Sequence, residues 1–127
     1  MMGLCTVRAM EEAFGSRPED IRAAIGPSIC MDCYEVSEDV ILAFEEKFSP
    51  EVMEEICYSK GGGKYQLDLW GANRAVMLEA GILPEHIAVT DICTCCNPVR
   101  LFSHRASKGQ RGNLAAFLAL KPDSVLI

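Results

Sequence analysis

Seven cysteines and two histidines stand in this chain of 127 residues. The cysteines are Cys5, Cys30, Cys33, Cys57, Cys93, Cys95 and Cys96. Cys30-Met31-Asp32-Cys33 has the spacing of half a zinc site, because two thiolates at short separation can grip one metal ion. Cys93-Thr94-Cys95-Cys96 gathers three more thiols. A cysteine-rich zinc module would draw its ligands from Cys30, Cys33, Cys95 and Cys96. The second group argues against such a module if it lies in a strand, since Cys93 and Cys95 then point one way and Cys96 the other. The plainer reading is reduced thiols in a core, where cysteine behaves as a small apolar residue. Nucleophilic chemistry is a second candidate, with Cys33 and His104 as the pair; a thiol needs an adjacent base or a positive field to ionise at neutral pH. An odd cysteine count, with no basic and then apolar leader at Met1 to Thr6, points away from a disulfide framework and towards a cytoplasmic protein with free thiols.

Charge supplies the next candidates. Twelve basic and eighteen acidic residues give a net charge of −6, which argues against a nucleic-acid binder that works through a broad basic footprint. The basic residues are uneven. Arg100, Arg105, Lys108 and Arg111 fall in one acid-free stretch, which can hold an anion or simply be a solvated loop. His104, beside Arg105, is either a hydrogen-bonded sheet histidine or a ligand contact next to an anion-holding guanidinium. His86 follows Pro84-Glu85 and reads as an exposed turn residue. Tyr34, Tyr65 and Trp70 read as core or rim aromatics. Tyr34, beside the cysteine loop, is the one with a case for stacking on a base.

These residues need elements to position them. Leu4, Val7, Met10 and Phe14 recur near helical spacing and stop at Gly15. Ile21 to Ile25 reads as a buried strand entering a loop from Gly26 to Tyr34. Ser37 is placed to cap a helix whose apolar face is Val40, Ile41, Phe44 and Phe48. Pro50 opens a short acidic helix through Ile56. The glycines between Lys60 and Lys64 read as a loop before a strand at Tyr65 to Leu67. Asp68 can cap a helix through Ala80, stopped by Gly81. Ile87 to Cys93 is β-rich, and Leu101 to Ala106 and Leu114 to Leu120 read as a final strand pair. The expected fold is α/β, a single layered domain over 1–127 with mixed sheets and flanking helices. Half the residues are apolar, enough for a real core. No apolar run is long enough to span a bilayer.

Ala23-Ala24-Ile25-Gly26-Pro27-Ser28-Ile29, Cys33-Tyr34-Glu35-Val36, Leu67-Asp68-Leu69-Trp70-Gly71-Ala72-Asn73-Arg74, Asp91-Ile92-Cys93-Thr94 and Leu101-Phe102-Ser103-His104-Arg105-Ala106 together resemble the bacterial laccase-domain, or polyphenol oxidase, family. Its members are also described as zinc-dependent purine nucleoside phosphorylases with adenosine deaminase activity. The resemblance implies a fold similar to the catalytic domains of cysteine-based deamidating toxins. It implies phosphorolysis of adenosine, inosine, guanosine and methylthioadenosine, and deamination of adenosine. Purine nucleoside and phosphate would be the partners, with no nucleic acid and no membrane.

The family's zinc ligands come from upstream motifs (Gln-Val-His-Gly, Thr-Ala-Asp-Cys and His-Ala-Gly-Trp-Arg-Gly) that do not occur here. The resemblance therefore implies the C-terminal part of a family member, an incomplete domain, impaired alone, with no metal ligand carried over to His86 or His104. Many relatives have Tyr where His104 stands. What does carry over is a set of substrate-binding expectations at Gly26, Pro27, Cys33, Tyr34, His104 and Arg105, with Arg105 and Arg111 for phosphate. An arginine fork suits anionic oxygens. Self-association through a face left by the missing half is a further expectation. The copper-oxidase label is the competing description, and two histidines cannot build a multicopper centre.

Overall fold

The computed structural model describes residues 2–97, 99, 101, 103, 106, 108 and 115–119. Helix α1 (Met2–Phe14) closes at Gly15, whose N–H donates to the Glu11 carbonyl. A 3₁₀ turn at Pro18–Asp20 leads to β1 (Ala23–Ile25). Ile21 lies outside this strand because its N–H closes the turn onto Pro18. A second 3₁₀ turn, Met31–Cys33, precedes β2 (Glu35–Ser37), α2 (Glu38–Glu45) and α3 (Pro50–Ile56). Then come β3 (Cys57–Gly61), β4 (Lys64–Leu67), α4 (Leu69–Glu79), a 3₁₀ turn at Pro84–His86 and β5 (Ile87–Val89).

The strands form two small sheets. β1 and β5 pair in parallel, Ala23 opposite Ile87 and Ile25 opposite Val89. β2, β4 and β3 form an antiparallel sheet with β4 in the centre. The fold is thus α/β with mixed sheets. Helix α4 joins the layers, packing on α1, α3, β1 and β5. Ala72 and Val76 of α4 meet Val36, Ile41, Phe48, Met53, Ile56 and Leu67 in one core cluster. Leu67 is fully buried, and truncating such a side chain to Ala costs about 2–5 kcal/mol. Among the described residues no helix is long and apolar enough to cross a membrane.

Several local expectations change. Cys57–Gly61 is a strand that runs into the loop expected between Lys60 and Lys64, with no element expected over Cys57 to Ser59. Gly61, Gly62 and Gly63 all have positive φ (88°, 62° and 75°), the backbone a tight two-residue hairpin turn requires. Only Cys57 of β3 is even half-buried, so the strand shows no apolar alternation and lies at the sheet edge. Ser37 stands at the start of α2, but its hydroxyl makes no capping bond and accepts instead from Lys64 Nζ at 3.3 Å. Phe48 lies beyond α2 and reaches the core edge-on to Phe44. The described residues of the expected final strand pair, Leu101, Ser103, Ala106 and 115–119, are not in strands. Two of these N–H groups have local partners: Leu101 donates to Asn97 O, and Ala106 to Ser103 Oγ.

Candidate functional site

The parallel pair does not stop at Ile25 and Val89. Thr90 N–H donates to the Ile25 carbonyl at 3.0 Å, Ser28 N–H to Ile92 O at 3.2 Å, and Thr94 N–H to Ser28 O at 3.2 Å. Ser28 and Cys93 form a parallel bridge. The loop after β1 and the segment after β5 therefore run side by side past the carboxyl ends of their strands. Parallel sheets place ligand crevices in that position. A cleft of about 690 Å³ opens there, lined by Pro27, Trp70, Asp91, Ile92 and Cys93 among others. Sites for small molecules commonly fall near this size, ~300–1,000 Å³.

Trp70 reaches the cleft from the first turn of α4. Asp68 caps that turn, its carboxylate accepting from Gly71 N–H at 3.0 Å. The indole Nε1–H donates to Ser28 Oγ, which fixes the ring against the loop after β1. Asp91 has φ +59°, a left-handed backbone that Asp tolerates better than most residues. It turns the chain out of β5 along the cleft wall.

Four thiols converge at one side of the cleft. The Sγ atoms of Cys30, Cys33, Cys93 and Cys96 all lie within 4.8 Å of one another. Cys30 and Cys96 are 3.8 Å apart, and Cys33 and Cys96 are 3.3 Å apart. Backbone N–H groups of Cys30 and Cys96 both donate to Cys93 Sγ, each at 3.2 Å. Burial alone would push the Cys93 thiol up. Those two N–H bonds, with side-chain bonds from the same residues, outweigh it and bring the thiol down to about 6. The bond to Cys96, followed by burial, holds Cys33 far above the ordinary thiol value. Buried Gln66 steadies the first pair: with its amide oriented by its partners, the nitrogen donates to the Met31 and Tyr34 carbonyls.

The convergence corrects the ligand set expected from the sequence. Cys93, not Cys95, joins Cys30, Cys33 and Cys96. The extended run ends at the Cys93 bridge, and residues 94–96 form a turn, which brings Cys96 back beside Cys93. The period-two argument for a strand does not apply across a turn.

Of the residues expected to bind substrate, Pro27 lines the cleft, Gly26 precedes it and Cys33 joins the thiol cluster. Tyr34 packs against the core cluster. His104, Arg105 and Arg111 lie outside the described residues. Trp70 and Asp91 line the cleft without having been singled out as binding residues; their signal was the motif each stands in. His86 is half-buried rather than exposed, and its Nδ1 is buried without a partner among the described residues. It joins no group of three metal-binding side chains there. With two histidines in the chain, the residues present do not fit a multicopper centre.

This chain is 35% identical over 115 residues to purine nucleoside phosphorylase YlmD of Bacillus subtilis, covering 91% of this chain and 41% of that protein. It is 37% identical over 91 residues to adenosine deaminase RL5 from an unknown prokaryotic organism, covering 72% of this chain and 34% of that one. Among solved structures, YlmD from Geobacillus stearothermophilus superposes with a TM-score of 0.81 at 34% identity, over 87% of this chain and 41% of that chain. The chain thus spans about two fifths of the length of such relatives. The family described as multi-copper polyphenol oxidoreductase laccase matches residues 2–121, and the chain belongs to that family.

Proposed function

We propose that the cleft past β1 and β5 is one wall of a purine nucleoside site, in a protein that carries out phosphorolysis of purine nucleosides and deamination of adenosine. One observation carries this reading: the cleft lies at the carboxyl ends of a parallel strand pair, in a chain similar to proteins named for those two activities. Adenosine, inosine, guanosine and methylthioadenosine are the substrates in this reading, with phosphate as co-substrate.

The chemistry of the wall suits such a ligand. Trp70 offers an aromatic face to a purine, and its bond to Ser28 holds the ring in place. The Asp91 carboxylate accepts hydrogen bonds from ribose hydroxyls or an exocyclic amine. Arg105 and Arg111 are the proposed phosphate holders, since a guanidinium fork matches anionic oxygens. In the intact family, zinc supplies an activated water for deamination. Its ligand motifs are absent from this chain. The chain by itself is proposed to bind nucleoside with little turnover. Seven unpaired thiols fit a reducing compartment, and a cytoplasmic location is part of this reading.

Calorimetric titration of inosine and of adenosine into the chain tests it. Saturable binding of either, weakened by Asp91→Asn, supports the nucleoside wall. No heat from either nucleoside, in protein that still melts cooperatively, contradicts it.

A further inference from the structure

We propose that Cys30, Cys33, Cys93 and Cys96 hold one zinc ion in a closed tetrathiolate site that fastens the loop after β1 to the segment after β5. Geometry is the first support. A tetrahedron of Zn–S bonds of about 2.3 Å has sulfur–sulfur edges of about 3.8 Å. The Cys30–Cys96 separation is 3.8 Å, Cys33–Cys96 is 3.3 Å, and no pair among the four exceeds 4.8 Å. The four sulfurs therefore need shifts of well under a bond length to surround an ion.

The backbone is the second support. Cys93 Sγ accepts N–H bonds from Cys96, three residues on, and from Cys30, across the bridge. Backbone donors aimed at a sulfur favour its thiolate, the form that binds metal. Both pairs have two residues between their cysteines, and each sits on a tight turn, Met31–Cys33 and 94–96. Such spacing lets one turn present two sulfurs to one ion. The other three cysteines stand outside the four: Cys5 is exposed on α1, Cys57 donates to the Met53 carbonyl, and Cys95, whose side chain interacts with Cys33, is not one of the converging sulfurs.

Soft thiolates in a tetrahedron select zinc over hard, oxygen-seeking ions. Four protein ligands leave no open position for water or substrate, which makes the site structural. Binding is a ligand exchange: zinc sheds its waters, each cysteine gives up its remaining thiol proton to solvent, and four Zn–S bonds form with no change of oxidation state. The ion's role is to hold the two segments that carry Pro27 and Asp91 at a fixed spacing across the cleft. This site is distinct from the family's upstream zinc motifs and stands whether or not the cleft takes a nucleoside.

The test uses the full chain purified without added metal. Elemental analysis is expected to find one zinc per chain. Alkylation followed by mass mapping is expected to label Cys5 and Cys95 readily and Cys57 more slowly, and to label the other four only after a chelator strips the metal. Cobalt(II) exchange should give an intense sulfur-to-cobalt charge-transfer band and tetrahedral visible bands, which report the ligand set without any substitution. Cys96→Ser, at the most exposed of the four, should lose most of the zinc, while Cys95→Ser and Cys5→Ser keep it. Three results would overturn the proposal: no bound zinc together with no cobalt–thiolate spectrum, metal retained in Cys96→Ser but lost in Cys95→Ser, or a Cys33–Cys96 disulfide in the freshly isolated chain.

Discussion

The Sγ of Cys33 lies 3.3 Å from the Sγ of Cys96, 63 residues further along the chain. The Cys30–Cys96 pair and the Ser28–Ile92 backbone bond join the same two segments beside it. The Trp70–Ser28 bond spans another 42 residues at the same place. Between them the two contacts tie the loop after β1 to the segment after β5 and to the start of α4. The cleft is therefore built from three separate stretches of chain, and each junction can be probed alone.

Ser28→Ala removes the acceptor for the Trp70 indole N–H. Losing a hydrogen bond of this kind costs roughly 1 kcal/mol. Urea denaturation should show a loss of about that size. Nucleoside binding should weaken by more than stability does, because the freed ring no longer holds its place on the wall.

Gly81→Ala strikes the end of α4. Gly81 has φ +100°, and a Cβ there would meet Pro18 Cβ at 2.9 Å. A side chain is thus opposed by the backbone and by a ring that cannot rotate away. The expected loss exceeds about 1 kcal/mol, read as a lower denaturation midpoint with an unchanged slope. A neutral or stabilising result would mean that the α4 terminus moves freely away from Pro18.

Cys57 and Cys5 should differ in reactivity. Burial, and then the Glu45 carboxylate, raise the Cys57 thiol above its ordinary value of 9.0. Its proton is also engaged by the Met53 carbonyl at 3.3 Å. Iodoacetamide at pH 8 should therefore modify exposed Cys5 well before Cys57. The sign for stability follows from the same shift. Above about pH 9 the unfolded chain ionises this thiol while the folded chain keeps it protonated, so its contribution is full below that value and falls as pH rises. Denaturation midpoints of wild type and Cys57→Ala should converge at alkaline pH.

Helix α4 was legible in the sequence because its boundaries are chemical: Asp68 binds Gly71 N–H at one end and Gly81 takes positive φ at the other. The family motifs were legible for the same kind of reason, as short ordered strings of residues. Strand β3 was not, because an exposed edge strand from Cys57 to Gly61 buries too little to pattern its residues. The thiol cluster was half-legible. The Cys30 and Cys33 pair announced itself by spacing, but the choice between Cys93 and Cys95 depended on where an extended run becomes a turn. That point is set by the Ser28 bridge, a contact between segments 65 residues apart that spacing alone does not show. His86 shows the same gap: the Pro84 turn was readable, but the burial of its Nδ1 was not.

The most direct test of the nucleoside wall uses the chain's single tryptophan. Trp70 lines the cleft, so its emission reports on that wall alone. Titrating inosine into the folded chain is predicted to change Trp70 fluorescence saturably, with adenosine competing and ribose 5-phosphate leaving the signal unchanged. An emission spectrum that stays flat to the solubility limit of inosine, in protein that denatures cooperatively, would contradict the account.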